Sequence, residues 1–192
     1  MGAYLDKELL NRTLEIAGRH KINKFIETGT SDGYSTYLLQ PYFKQIDTIE
    51  IVPETYELAR QTLKQYPNIR QHLGNSPEVL DKIITPGQSD FIIFLDAHWD
   101  EYWPIKDELK VLAKNEVTVP IIIHDFFVPD FKNPYVAKYS YDAYKGHPLN
   151  NDYIEEELID IFGSLFVWYY NVNPSSENSG ILFVEPLLEF TS

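Results

Sequence analysis

The chain is expected to fold as one α/β domain, a mostly parallel sheet with helices on both faces, closed by an antiparallel strand pair. Three observations predict this. Segments with helical spacing alternate with short apolar runs through five strands, the pattern of β-α-β units. Two of those runs, 90–95 and 119–123, are apolar almost throughout, as strands covered on both sides must be. The 192 residues match a single domain, 1–192, with one elaborated loop, at about 150 residues per domain.

The elements follow in order. Within the N-terminal segment 1–20, residues 5–17 place Leu9, Leu10, Leu14 and Ala17 on one helical face, with Gly18 as the expected C-cap. A strand is predicted over 22–28, ending at Gly29, and a helix from about Ser35. The second strand covers 46–52. Pro53 then suits a first helical turn, and 54–66 has helical spacing. The third strand is 69–73, followed by Gly74, and Ser76 is the expected N-cap of the next helix. After the apolar strand 90–95 come a helix over 106–114 and the apolar strand 119–123. Periodicity then stops over 126–150, and a loop of that length in a compact domain is usually functional. A helix over 152–162 leads to strands over 166–172 and 180–184, a terminal hairpin across 166–185. Crossovers between parallel strands are right-handed, and ligands of such sheets sit beyond the carboxyl ends of the strands.

Composition narrows the function. Hydrophobic residues make up 44% of the chain and charged ones 23%, which excludes intrinsic disorder. No apolar run is long enough for a membrane span, the charged N-terminus lacks a signal core, and Asp6 stands where an N-terminal lipid signal needs Ser or Thr. Cysteine is absent, which removes disulfides, thiolate zinc sites and cysteine nucleophiles and makes a reducing cytoplasm the default. The net charge of −13 repels phosphate backbones and anionic membranes, so neither nucleic acid nor a membrane is an expected partner.

The strand ends carry the polar residues. Glu27, Gly29, Thr30, Ser31 and Gly33 form an E-x-G-x-x-x-G loop after the first strand. Two glycines four apart let the backbone turn and approach a ligand. Glu27 holds the place of the first glycine of a dinucleotide fingerprint, where it would repel a pyrophosphate and attract an amino group. The alternative is a tight turn with no ligand. Glu50, 23 residues beyond Glu27, is placed to accept hydrogen bonds from ribose hydroxyls. Gly74, Asn75 and Ser76 follow the third strand, where Asn75 can present an amide to an adenine edge.

This ordered set resembles a class I S-adenosylmethionine-dependent methyltransferase, over nearly the whole chain. The segments 95–99, 102–104 and 108–109, with 123–126, look like a branch similar to small-molecule and sugar O-methyltransferases. The resemblance implies a Rossmann-like seven-stranded sheet whose last strand is antiparallel. It implies methyl transfer from S-adenosylmethionine to a small-molecule oxygen, with a sugar or an aromatic ring as acceptor. Glu27, Gly29, Thr30, Ser31 and Gly33 would surround the methionine part of the cofactor. Glu50 would hold the ribose, and Asn75 and Ser76 would lie near the adenine. A non-catalytic module that keeps this fold for binding or assembly is the alternative.

The methyl end of such a site lies beyond the fourth and fifth strands, where Asp96, His98 and Asp100 and then His124 and Asp125 stand. Asp96 and Asp125 are expected to face each other. Two carboxylates with water and substrate oxygens suit Mg²⁺. Metal-dependent relatives have a second acidic residue beside the second aspartate, whereas this chain has His124, which strand alternation would turn to the opposite face. Asp96 could instead contact the cofactor amino group. His98 is a candidate general base, since histidine titrates near neutrality, and a structural hydrogen bond is the equal alternative. Tyr135, Tyr139, Tyr141 and Tyr144 on the long loop, with Trp99 and Trp103 nearby, suit a ring-shaped acceptor, or else packing on the sheet or on a second subunit of a homo-oligomer.

Overall fold

Strand β1 (Lys24–Thr28) lies at the centre of a seven-stranded sheet. The computed structural model describes residues 3–98, 102–172 and 179–187. The other elements are a 3₁₀ turn (Ala3–Leu5), α1 (Lys7–His20), α2 (Tyr34–Leu39), β2 (Gln45–Glu50), α3 (Pro53–Leu63), β3 (Ile69–Leu73), α4 (Ser76–Ile83) and β4 (Phe91–Leu95). Then come α5 (Ile105–Lys114), β5 (Ile121–Ile123), β6 (Pro129–Asp130), β7 (Asn133–Ala137), β8 (Ala143–Tyr144), β9 (His147–Pro148), α6 (Asn151–Phe162), β10 (Phe166–Tyr170) and β11 (Leu182–Pro186). The sheet order is β10-β11-β5-β4-β1-β2-β3. β11 runs antiparallel to both neighbours, and the remaining pairings are parallel. The predicted α/β class, strand count and antiparallel last strand are all present.

The apolar strands are buried for the expected reason. Along β4, alternate side chains enter two different cores. Ile93 and Leu95 pack with Leu80, Leu109, Leu112 and Ile154 from α4, α5 and α6. Ile92 and Phe94 pack with Leu9 and Ile16 of α1, Leu39 of α2 and Tyr4. Tyr4 sits edge-on to Phe25 and Phe94, at 5.8 and 5.0 Å between ring centres, and so pins the N-terminal turn beside the carboxyl ends of the strands. Among the described residues, no helix is long and apolar enough to cross a membrane.

Three local expectations change. Gly18 lies inside α1, which runs on to His20, and Lys21 ends it with a left-handed φ of 55° and an N–H shared by the Ala17 and Gly18 carbonyls. Asn75, in extended conformation, precedes α4, so Ser76 is its first residue and not its cap. The segment 126–150 holds two small antiparallel ribbons, β6–β7 and β8–β9, where a loop without regular structure was expected. Pairs only two residues long give no periodicity to read.

Candidate active site at the carboxyl ends of the strands

A cavity of about 490 Å³ opens beyond β1, β2, β3, β4 and β5. Its walls come from four connecting segments, 29–32, 49–52, 74–76 and 96–98, with His124, Asp125 and Ser179 at one end and Ala3 of the N-terminal turn. A volume of this size is ordinary for a cofactor pocket.

Gly29 shows why a glycine stands after β1. Its φ is 82°, and a Cβ there would lie 2.7 Å from the Asp96 carbonyl oxygen. The loop therefore crosses directly over the start of the 96–98 segment, as no larger residue allows. Thr30 and Ser31 line the cavity, and the Thr30 hydroxyl meets the Thr48 hydroxyl at 2.6 Å. Gly33 does not line it. A Cβ at Gly33 would strike Leu63 at 2.9 Å, so this glycine lets α2 pack on α3. Glu27 does not line the cavity either. It is 1% exposed and accepts hydrogen bonds from the hydroxyls of Thr36 and of Thr48, the latter at 2.8 Å. Burial raises its carboxyl to about 8, against the pull of those two bonds, and the nearby Asp96 and Asp32 add to the rise.

Glu50 sits at the wall, fixed by three backbone N–H groups: Ile51 and Val52 donate to Oε1 and Ser31 donates to Oε2, each at 2.9 Å. A carboxylate has about four acceptor positions, so Oε2 keeps one for a ligand hydroxyl. Asn75 and Ser76 line the same cavity, and the Ser76 hydroxyl donates to Glu108. The Gly29 crossing and this pinned acceptor fit S-adenosylmethionine.

At the other end, His124 Nδ1 lies 3.0 Å from Asp96 Oδ1 and 3.1 Å from Asp125 Oδ2. The expected opposition of His124 and Asp125 fails because β5 ends at Ile123 and Asp125 takes a left-handed φ of 50°. Strand alternation does not apply across that turn. Burial works to lower the His124 ring, but Asp96 and Asp125 outweigh it and hold it well above 6.5. Burial works likewise to raise Asp125, and the His124 ring holds it below its usual 3.8. The ring nitrogen thus stands between two carboxyl groups that favour its charged form. Asp96, His124 and Asp125 bring ligand atoms within 4.8 Å of one another, so a divalent ion would meet a histidine there in place of the second acidic residue. His98, half exposed at the mouth, places Nδ1 3.3 Å from Asp142 Oδ2. Trp99 and Asp100 lie outside the described residues, as do positions 173–178 of the last link.

Sequence reasoning gives Asp142 no place, and names Glu108 only within the 108–109 segment, without a role. Asp142 comes from the aperiodic segment, and no motif marks it. Its N–H donates to the Asp125 carbonyl at 2.8 Å, which returns the loop to the site. Glu108 did leave a signal. It stands on the apolar face of α5 with Ile105, Leu109 and Leu112, and it is fully buried.

No protein-family model matches the chain. A protein-L-isoaspartate O-methyltransferase of Dictyoglomus turgidum is 29% identical over 120 residues, 62% of this chain and 51% of that protein. The chain thus spans about half the length of the curated relative it matches. Among solved structures, the O-methyltransferase TomG from Streptomyces achromogenes, in complex with S-adenosylmethionine, aligns with a TM-score of 0.58 and 17% identity, over 94% of this chain and 79% of that one. The methyltransferase domain of a bacterial CtHen1-CN aligns with a TM-score of 0.62 and 14% identity, over 93% and 98% of the chains. An rRNA methylase from Streptococcus thermophilus aligns with a TM-score of 0.56 and 13% identity, over 93% and 96%. The chain has the class I S-adenosylmethionine-dependent methyltransferase fold.

Proposed function

We propose that this chain moves the methyl group of S-adenosylmethionine to an oxygen of a small molecule, with a sugar or an aromatic ring as acceptor. The observation that carries the reading is a cavity built from successive strand ends, with a pinned carboxylate in one wall and an acid–histidine cluster at the far end. Two of the likenesses, the isoaspartate enzyme and TomG, are named as O-methyltransferases, which favours oxygen over nitrogen.

The bound cofactor supplies an electrophilic methyl group on a positively charged sulfur. The backbone of Gly29, Thr30 and Ser31 wraps the methionine part, with Glu27 and Gly33 shaping the loop from beneath. Glu50 accepts from the ribose hydroxyls, and Asn75 and Ser76 border the adenine. Asp96, at the inner end, can also take the cofactor amino group. His98 takes the acceptor's proton, and Asp125, held by His124, helps align the acceptor oxygen. In-line displacement needs chiefly correct positioning, which these fixed groups provide. A divalent ion held by Asp96, His124 and Asp125 would instead lower the pKa of the acceptor hydroxyl.

Isothermal calorimetry with S-adenosylhomocysteine tests the reading. The wild type should bind one equivalent, and Glu50→Ala should weaken binding by about 1–3 kcal/mol, the loss of a hydrogen bond to a charged acceptor. Because Glu50 also holds three backbone amides, thermal unfolding must show the variant folded. A wild type that does not bind would overturn the proposal and leave the fold as a non-catalytic module.

A further inference from the structure

Beside the main cavity, between β4, α5 and the returning loop, lies a second cavity of about 20 Å³. That is room for a single water molecule. Asp96, His98, Glu108, His124 and Asp142 supply its polar wall, and Trp103 and Leu149 close it. Glu108 is the member with no role so far. It is 0% exposed, its Oε1 accepts from the Ser76 hydroxyl, and its Oε2 has no hydrogen-bond partner. A buried acceptor left unmade is costly, more so when charged, so a native protein rarely keeps one without a ligand or a use.

We propose that one water in this cavity binds Glu108 Oε2 and links it to His98 and Asp142, making Glu108 the inner store for the proton released during methyl transfer. This rests on the methyl-transfer reading above. The acceptor O–H bond breaks and its electron pair forms the new O–C bond. The S–C bond breaks and its pair stays on sulfur. The proton passes to His98 and through the water to Glu108, which changes from carboxylate to carboxylic acid and later returns it by the same path. The groups that face Glu108 are Ser76 from α4, Thr28 from β1, Asp107 and Tyr102 on its own side, and the polar wall of the cavity. Burial, opposed by the hydrogen bond from Ser76 and by the nearby Thr28 hydroxyl, raises its carboxyl to about 7, so both forms are available near neutrality.

Infrared difference spectroscopy of the full chain across neutral pH, without cofactor or acceptor, reads Glu108 directly. A protonated-carboxyl band should disappear with a midpoint near 7. It should be missing in Glu108→Gln and move by about half a pH unit or more in Asp142→Asn or His98→Gln, since charges linked through one water interact. If Glu108→Gln does not fold, Ser76→Ala assigns the band by raising its midpoint. No such band, or a midpoint that neither Asp142→Asn nor His98→Gln moves, would overturn the proposal and leave Glu108 as a partner of Ser76 alone. Calorimetry with S-adenosylhomocysteine on the same samples separates the two readings. Failed binding counts against methyl transfer, whereas unmoved bands count against the proton path.

Discussion

A carboxyl group sealed beneath a ligand loop must give up either its charge or its burial, and Glu27 gives up its charge. Its ordinary value of 4.5 is raised to about 8 by burial. Between those values the folded state holds a proton that the unfolded chain releases. The stability this contributes is therefore fully present below about 4.5 and is lost as the pH rises through about 8. Glu27→Gln keeps an acceptor oxygen for the Thr36 and Thr48 hydroxyls and removes the titration. Thermal unfolding between about pH 5 and 9 should show the variant gaining on the wild type as pH rises, with the two closest at the acid end. A wild-type advantage that grows with pH would contradict the buried neutral state. The same chemistry explains why the acidic first residue of the loop presents no negative charge to the cavity near neutrality. In the sequence, Glu27 reads as a ligand group because only its neighbours in the chain are visible. Thr36 and Thr48, which turn it inward, come from α2 and β2. His124 is misread for a related reason, since the left-handed turn at Asp125 carries no glycine to announce it.

The helices and sheet strands were legible because burial imposes a period on them. Their ends shift by up to three residues, where caps and turns, not periodicity, decide. The segment 126–150 was legible only as a gap. Its tyrosines turn out to be divided by contact. Tyr144 stacks on Trp103 at 5.5 Å, Tyr141 meets Phe127 edge-on at 4.9 Å, and the Tyr139 hydroxyl donates to the Val172 carbonyl. Phe131 and Tyr135, at the tip of the β6–β7 ribbon, are almost wholly exposed. No residue of 126–150 lines the larger cavity, and Asp142 and Leu149 border the smaller one. The ribbon tip should therefore be separable from the cofactor. A Phe131→Ser, Tyr135→Ser double variant should leave S-adenosylhomocysteine affinity and stability within about 0.5 kcal/mol of wild type, as surface changes do. Light scattering on the same protein distinguishes an acceptor arm from a subunit contact. A mass that falls in the variant assigns the tip to an interface, whereas an unchanged mass with altered turnover assigns it to the acceptor.

Across the whole molecule, charge separates acceptor classes that the fold leaves together. The same fold serves an rRNA methylase and an O-methyltransferase involved in tomaymycin synthesis among the structural likenesses, so topology does not choose the acceptor. A net charge of −13, from 29 acidic and 16 basic side chains, opposes any phosphate backbone that approaches. The long segment is the exception, since Lys132, Lys138 and Lys145 there outnumber Asp130 and Asp142. Two of those lysines lie over tyrosine rings, Lys138 over Tyr139 at 4.8 Å and Lys145 over Tyr144 at 4.7 Å, where they brace the ribbons. Three lysines neutralise few phosphates against such a field. Filter binding of a short single-stranded RNA at physiological salt should accordingly show affinity no tighter than the ~10⁻⁴ M end of non-specific binding. Micromolar binding that weakens steeply with salt, and that is lost when Lys132, Lys138 and Lys145 become glutamine, would instead make the ribbons a nucleic-acid arm and replace the small-molecule acceptor with RNA.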